Sequence, residues 1–469
     1  MKVEQIYTGC LAHAAYYIES KGEAIIVDPL REVQPYINRA KLDDAKIKYI
    51  FETHFHADFV SGHIDLAKKT GAKIVFGPTA APKYEATIAE DGQVFTVGDY
   101  TIKILHTPGH TMESMVLLLI DENGKEHGII SGDTLFIGDV GRPDLAQHVV
   151  SDLTEEKLAG HLYDSLRNKI MPLSDHLIVY PNHGAGSACG KNMSKETTDT
   201  LGNQKKTNYA LQDMTKAEFI DVLLDGLGAP PAYFPANVLM NINGYESLDK
   251  VMEKATRPLS PAAFEAAANE TEAVVLDVRH QDEYAKGHLP KSIFIGIDGG
   301  FAPWVGSLIA DVKQPILLVT TPGRQEEVIT RLARIGFDNV LGYLEGGFDA
   351  WKKDAKEYDT VSQVTAAELK DLLDANAIPV FDVRGEGEFL SEHIVDAEHT
   401  CLSTVSNSIA QYPSNKTFYI HCAGGYRSVI AASILKSRGV HNFIDVKGGF
   451  GAVKEAGINV SEFVCPTTL

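Results

Sequence analysis

The feature that most constrains this chain is an internal repeat. Val275-Leu-Asp277-Val-Arg279, followed by Glu283, returns 105 residues later as Val380-Phe-Asp382-Val-Arg384 followed by Glu388. Leu344-Glu-Gly-Gly347-Phe348 likewise returns after 102 residues as Val446-Lys-Gly-Gly449-Phe450. Two copies of one unit about a hundred residues long therefore fill the C-terminal half, a length typical of a single domain. Each copy opens on a helical stretch behind a Ser or Thr cap, Ser260-Pro261-Ala-Ala-Phe264 and Thr365-Ala-Ala-Glu368-Leu, the second with the glutamate of a capping box. An apolar run ending in Asp-Val-Arg follows, then a strand at 316–319 or 418–420 and a helix at 327–335 or 428–437. This alternation predicts an α/β unit with a mostly parallel sheet.

The N-terminal half has another rhythm. Short β-rich runs at 15–18, 24–27, 73–76, 101–105, 115–120 and 128–131 alternate with polar turns, and helices are expected at 64–70 and 155–169. The reading is a two-sheet α/β domain. Residues 203–257 follow as a helical extension interrupted at Ala229-Pro230-Pro231-Ala-Tyr-Phe-Pro235, because prolines without N–H groups are excluded from helix interiors. A length of 469 residues suits three domains, here 1–257, 258–358 and 359–469.

Composition narrows the partners. Sixty-three acidic against 43 basic residues leave a net charge of −20, which repels a polyanion and argues against nucleic acid. No apolar run approaches a membrane span, and Lys2, Glu4, Gln5 and His13 interrupt any signal-like core, so a cytoplasmic protein without membrane association is expected. The five cysteines, at 10, 189, 401, 422 and 465, are too few and too odd in number for a disulfide framework.

Chemistry concentrates in four segments of the first half. Thr53-His54-Phe55-His56-Ala57-Asp58-Phe59 follows the apolar strand ending at Phe51, and alternate residues there can point one way. Thr107-Pro-Gly-His110-Thr111, Ser131-Gly-Asp133-Thr134 and Pro181-Asn182-His183-Gly184 each come after a strand, at a turn. Together they resemble the metallo-β-lactamase superfamily, whose His-x-His-x-Asp-His box, Gly-His-Thr turn, Gly-Asp turn and late His build one or two metal sites. The resemblance covers roughly residues 1–200 and implies an αββα sandwich. One position departs: the second box histidine is Phe59, and a phenyl ring offers a cation no lone pair.

A dinuclear hydrolase needs both ions to hold a bridging hydroxide, so the loss argues against that mechanism. His54, His110 and Asp133 remain, a two-His, one-carboxylate set suited to non-haem Fe(II) with open positions. Spacing alone does not separate iron from zinc. By resemblance, persulfide dioxygenases of this superfamily use the matching trio for a single iron, with His56, Asp58 and His183 surrounding it as groups that orient ligands or waters, or as what remains of a second site. The same resemblance makes Arg142, in Gly141-Arg142-Pro143-Asp144, a candidate clamp for an anionic thiol substrate. Cys189, in the Gly-rich segment after His183, is a candidate substrate or sulfur contact.

In the last repeat, His421-Cys422-Ala-Gly-Gly-Tyr-Arg427-Ser428 runs from a strand through a glycine loop into a helix. Such a loop aims backbone N–H groups at the sulfur, lowers the thiol's pKa and makes Cys422 a nucleophile, with Arg427 adding a positive charge. With Asp382-Val-Arg384 and Gly448-Gly449-Phe450 it resembles a rhodanese, a sulfurtransferase that carries sulfane sulfur as a cysteine persulfide. Four residues lie between Cys422 and Arg427, one fewer than in the related phosphatase loops, which favours sulfur over phosphate. The middle repeat reads Val319-Thr320-Thr321-Pro322-Gly323-Arg324 there and has no cysteine, so it is expected to be a degenerate copy with a structural or docking role. Its Arg279 and Arg324 are candidates to bind an anion, although structural or solvated arginines are the commoner outcome.

The whole pattern resembles fusions of a persulfide dioxygenase with active and inactive rhodanese domains. That implies oxidation of a glutathione, coenzyme A or similar thiol persulfide with O2 to sulfite, one Fe(II) per chain and thiosulfate formation at Cys422; a homo-oligomer is expected, though the sequence does not give the oligomeric state. Two other readings remain open: a glyoxalase-II-like zinc thioester hydrolase, and a sulfur carrier or sensor with a vestigial metal domain.

Overall fold

The computed structural model describes residues 2–145, 153–375 and 378–465. The chain divides into two compact units: Met1–Val251 together with Ala310–Val312 and Thr330–Phe337, and the remainder.

The first unit holds two six-stranded sheets. One runs in chain order from β1 (Val3–Thr8) through β2 (His13–Ser20), β3 (Glu23–Val27), β4 (Lys46–Glu52) and β5 (Lys73–Phe76) to β6 (Thr87–Ile88). The other comprises β7 (Val94–Val97), β8 (Tyr100–His106), β9 (Met115–Ile120), β10 (Glu126–Gly132), β11 (Ile178–Pro181) and β12 (Asp199–Thr200). Tyr16, Ile18, Val27 and Phe51 of the first sheet share a core with Ile102, Ile104, Leu117 and Leu119 of the second. The alternate residues Val116 and Leu118 turn outward onto Ala159, Leu162 and Leu166. With both faces covered, β9 reads as an unbroken apolar run, and the layering is an αββα sandwich.

Expected elements recur with local differences. The helix expected over 155–169 begins at Glu155, where Thr154 caps the Lys157 N–H, but is regular only to Ser165. It then widens into a π turn, Leu166–Ile170, in which the Met171 N–H bonds the Leu166 carbonyl five residues back. The extension forms Leu201–Thr207, Lys216–Leu224, Phe234–Asn243 and Leu248–Ala255, with Pro235 in a first turn where its missing N–H is harmless. β1, with its mixed pattern Val-Glu-Gln-Ile-Tyr-Thr, was not anticipated; it is an edge strand of partly buried residues.

The second unit repeats one sheet twice. β13 (Pro258–Leu259), β14 (Val274–Asp277), β15 (Ile293–Phe294), β16 (Ile316–Val319) and β17 (Val340–Leu344) lie in the order β13-β17-β16-β14-β15. β18 (Gln363–Val364), β19 (Val380–Asp382), β20 (Glu398–His399), β21 (Phe418–His421) and β22 (Phe443–Val446) lie in the order β18-β22-β21-β19-β20. Every pairing is parallel. Asp277 pairs with Val319 and Asp382 with His421, so Thr320 stands where the last repeat has Cys422. The two loops align without a gap, and Gly323 and Gly425 both take the left-handed conformation, at φ 92° and 95°.

Candidate metal centre and sulfur loop

The four first-half segments follow the C-terminal ends of β4 in one sheet and β8, β10 and β11 in the other. His54, His110 and Asp133 are buried and place one donor atom each within 4.8 Å of the others. Asp133 Oδ2 lies 3.8 Å from His54 Nε2 and 3.5 Å from His110 Nε2. Local bonds set the imidazoles. His110 Nδ1 donates to the Arg142 carbonyl at 2.8 Å, which orients the ring with Nε2 toward Asp133. His54 Nδ1 is held by Thr53 Oγ1 at 3.0 Å. Burial, then the neighbouring His56, His110, His183 and His13, push the His54 pKa well below the usual imidazole value, so it stays neutral. Gly141 completes the wall: a Cβ there would press on the His110 ring and the Asp133 carbonyl.

A cation fits this pocket on the molecule's own terms. Both Asp133 carboxylate oxygens are buried without a hydrogen-bond partner, an arrangement costly to an isolated carboxylate and natural to a metal ligand. Two imidazoles and a carboxylate leave open coordination positions.

The other box residues part company. His56 turns away from the trio: its Nε2 lies 3.0 Å from Asp28 and 3.4 Å from Glu52. Burial opposes charge on His56, but the two carboxylates outweigh it and hold its pKa well above the ordinary value. Asp28 also binds the Thr53 N–H and hydroxyl, so His56 supports the loop from behind. Asp58 and His183 gather instead with Cys189 in a second buried donor set. His183 Nε2 is 3.6 Å from Asp58 and 3.7 Å from Asp133, and neither it nor the Asp58 oxygens has a hydrogen-bond partner. Burial, with Asp58 and Asp133 beside it, raises the Cys189 pKa well above the usual thiol value. Phe59 packs 4.3 Å from both His13 and His56, filling the space with a ring that binds nothing.

Arg142 is placed differently from the anion-clamp expectation. Its guanidinium donates to both Asp144 oxygens, at 2.7 and 2.5 Å, and to the Gly228 carbonyl, so its charge is already neutralised. What it gives the pocket is the carbonyl that orients His110.

Two contributors come from the extension and carry no local motif. Asn241 donates to the His56 and Phe59 carbonyls, both at 2.9 Å, and accepts the Ser61 N–H, binding the box loop across 180 residues of sequence. Tyr233 is buried with its pKa well above the usual phenol value, first through burial and then through the charges of Asp58 and Cys189. The proline-rich stretch before it was the available signal.

In the last repeat Cys422 is buried just after β21, and the Gly425 N–H donates to its Sγ at 3.1 Å. The helix Tyr426–Ser437 starts at once. Arg427, expected to add a positive charge to the pocket, donates to Glu388 at 2.5 and 2.8 Å, and that bond holds Glu388 below its usual range. A cavity of about 360 Å³ lies alongside, lined by Arg384, Glu388, Phe450 and Lys454 among others. In the middle repeat the equivalent cavity, about 390 Å³, is lined by Arg279, Glu283, Phe348, Lys352 and Thr320. Arg279 is locked on Asp277, and Arg324 on Asp298 and Glu327.

Among known proteins, the model of the metallo-beta-lactamase superfamily matches residues 8–183, and that of the rhodanese-like domain matches residues 260–354 and 365–456. A solved structure titled a metallo-beta-lactamase, from Staphylococcus aureus subsp. aureus COL, is 32% identical over 73% of this chain and 98% of that one, with a TM-score of 0.65. The hydroxyacylglutathione hydrolase of Tolumonas auensis is 33% identical over 173 residues, 36% of this chain and 60% of its own length. That of Dictyostelium discoideum is 28% identical over 221 residues, 46% of this chain and 77% of its own. The similarity to both hydrolases thus covers less than half of this chain.

Proposed function

Because the chain belongs to the metallo-beta-lactamase superfamily and continues into two rhodanese-like domains, we propose that it oxidises a small thiol persulfide at one end and moves sulfane sulfur at the other. The observation that carries this reading is the trio of His54, His110 and Asp133, with Phe59 filling the box position where a further ligand would stand. Those three side chains would hold one Fe(II) per chain, which supplies the electron transfer to dioxygen that side chains lack.

The overall change converts RSSH, O2 and H2O into RSH, sulfite and two protons. His183 Nε2 and the Asp58 oxygens, buried and unpartnered, stand next to the trio to take up those protons. In the second half-reaction Cys422 carries the outer sulfur of a persulfide. Sulfite attacks that sulfur, the S–S bond breaks, thiosulfate leaves and the electron pair stays on Cys422 Sγ. The Gly425 N–H already aimed at Sγ stabilises the departing thiolate. The hydrolase relatives point to glutathione or a similar thiol as the carrier, with coenzyme A as the competing choice. Cys10, Cys189, Cys401 and Cys422 are free thiols, which suits a reducing cytoplasm, and no helix among the described residues is long and apolar enough to cross a membrane.

An oxygen electrode with glutathione persulfide, paired with metal quantification, tests the reading. One iron per chain and one O2 consumed per persulfide are expected. Two zinc ions without O2 uptake would overturn it. The second donor set of Asp58, His183 and Cys189 favours the alternative, a dinuclear thioester hydrolase, which that metal count and turnover of a glutathione thioester would reveal.

A further inference from the structure

The middle repeat has no nucleophile, yet it touches the loop that has one. Tyr426, between Gly425 and Arg427, donates its hydroxyl to the Gly296 carbonyl at 2.7 Å. Its ring lies on Gly299 so closely that a Cβ at Gly299 would collide with it, and Phe294 meets the ring edge-on with centroids 5.9 Å apart. Burial raises the phenol pKa, so the hydroxyl stays a donor. A second tether runs beside it, from the Phe294 N–H to Ser433 on the helix that Tyr426 begins. The turn that receives the tyrosine is itself braced. Arg324 donates to both Asp298 oxygens, at 2.7 and 2.8 Å, and to Glu327. By sheet register Arg324 is the middle repeat's counterpart of Tyr426, each directly after a left-handed glycine. Both loops therefore grip one turn, 296–300, from two sides.

From this juxtaposition we infer that the cysteine-less repeat positions the sulfur-carrying loop: the turn braced by Arg324 seats Tyr426, and Tyr426 sets the backbone whose N–H groups surround Cys422 Sγ. Tyr426 and Gly299 are positioning residues; neither need touch substrate. A loop of this kind works by geometry, since an N–H displaced by about 1 Å no longer supports an anionic sulfur. The inference rests on Cys422 being the sulfur carrier proposed above, and it gives the degenerate copy a reason to keep its pocket folded.

The full-length chain tests it through Gly299→Val, which pushes the ring away, and Tyr426→Phe, which removes only the hydrogen bond. Thiosulfate-to-cyanide transfer and the pH profile of Cys422 alkylation by iodoacetamide are the readouts, with thermal melting and bound metal as folding controls. Gly299→Val is expected to lower kcat about 30-fold with KM for thiosulfate within about twofold, and to move the alkylation profile to higher pH. Tyr426→Phe is expected to lower kcat about threefold. A folded Gly299→Val protein with wild-type kcat and alkylation profile overturns the inference. Should that protein fail to fold, Tyr426→Ala takes its place, and a wild-type profile there is equally decisive. A wild-type chain that transfers no sulfur would defeat the proposed function, while the alkylation profiles would still decide whether the turn positions the loop.

Discussion

The two repeats share strand order, sheet register, the left-handed glycine and an arginine stacked on a phenylalanine, Arg279 over Phe348 at 4.4 Å and Arg384 over Phe450 at 3.9 Å. They differ in what the loop presents: Thr320 and Gln325 in one, Cys422 and Arg427 in the other. The frame makes a pocket in both repeats, whichever side chains the neighbouring loop carries.

The sharpest way to break this comparison is to exchange the deciding atom. Cys422→Ser is expected to cut sulfur transfer by at least about 10³-fold, while Thr320→Ser changes it less than about twofold. Adding Thr320→Cys to the Cys422→Ser chain should restore under about 1% of the rate, because Gln325 stands where Arg427 does; thiosulfate-to-cyanide assays read all three. The metal pocket should be separable from this: Asp133→Ala is expected to lose bound metal and at least about 10²-fold of oxygen uptake while Cys422 alkylates normally. Phe59→His tests the missing ligand by stoichiometry, and elemental analysis should rise from one ion per chain toward two.

The smallest effect concerns a buried acid that the middle repeat replaces by Tyr343. Asp445, held by Gln363, has its pKa raised to about 6, chiefly by burial. An acid whose folded pKa exceeds its unfolded value binds its proton more tightly when folded, so stability falls as pH rises from about 4 to about 6 and stays lower above. Asp445→Asn should therefore stabilise the chain by roughly 2 kcal/mol at pH 8 and by nothing below about pH 4, as read from denaturant midpoints.

Sequence carried much of this where the determinants are local. The trio is legible because each candidate ligand follows a strand end, and β9 because a short unbroken apolar run suits a strand covered on both faces. The equivalence of Thr320 and Cys422 was not, since it follows from which residues pair across β14/β16 and β19/β21. Arg142 and Arg427 were visible as cations but not as cations already spoken for by Asp144 and Glu388. Charge is written in the sequence; whether it is neutralised is decided by folding. Tyr233 and Asn241 lay furthest from legibility, as they act on segments far away in the chain.

Asn241 has a practical corollary for anyone cutting this protein into parts. A fragment ending near residue 200 would keep His54, His110 and Asp133, the proposed metal ligands, yet release the carbonyls of His56 and Phe59 that one distant amide fastens. Such a fragment should bind its ion more loosely than the intact chain, and a boundary drawn after the helix that bears Asn241 is the one to engineer.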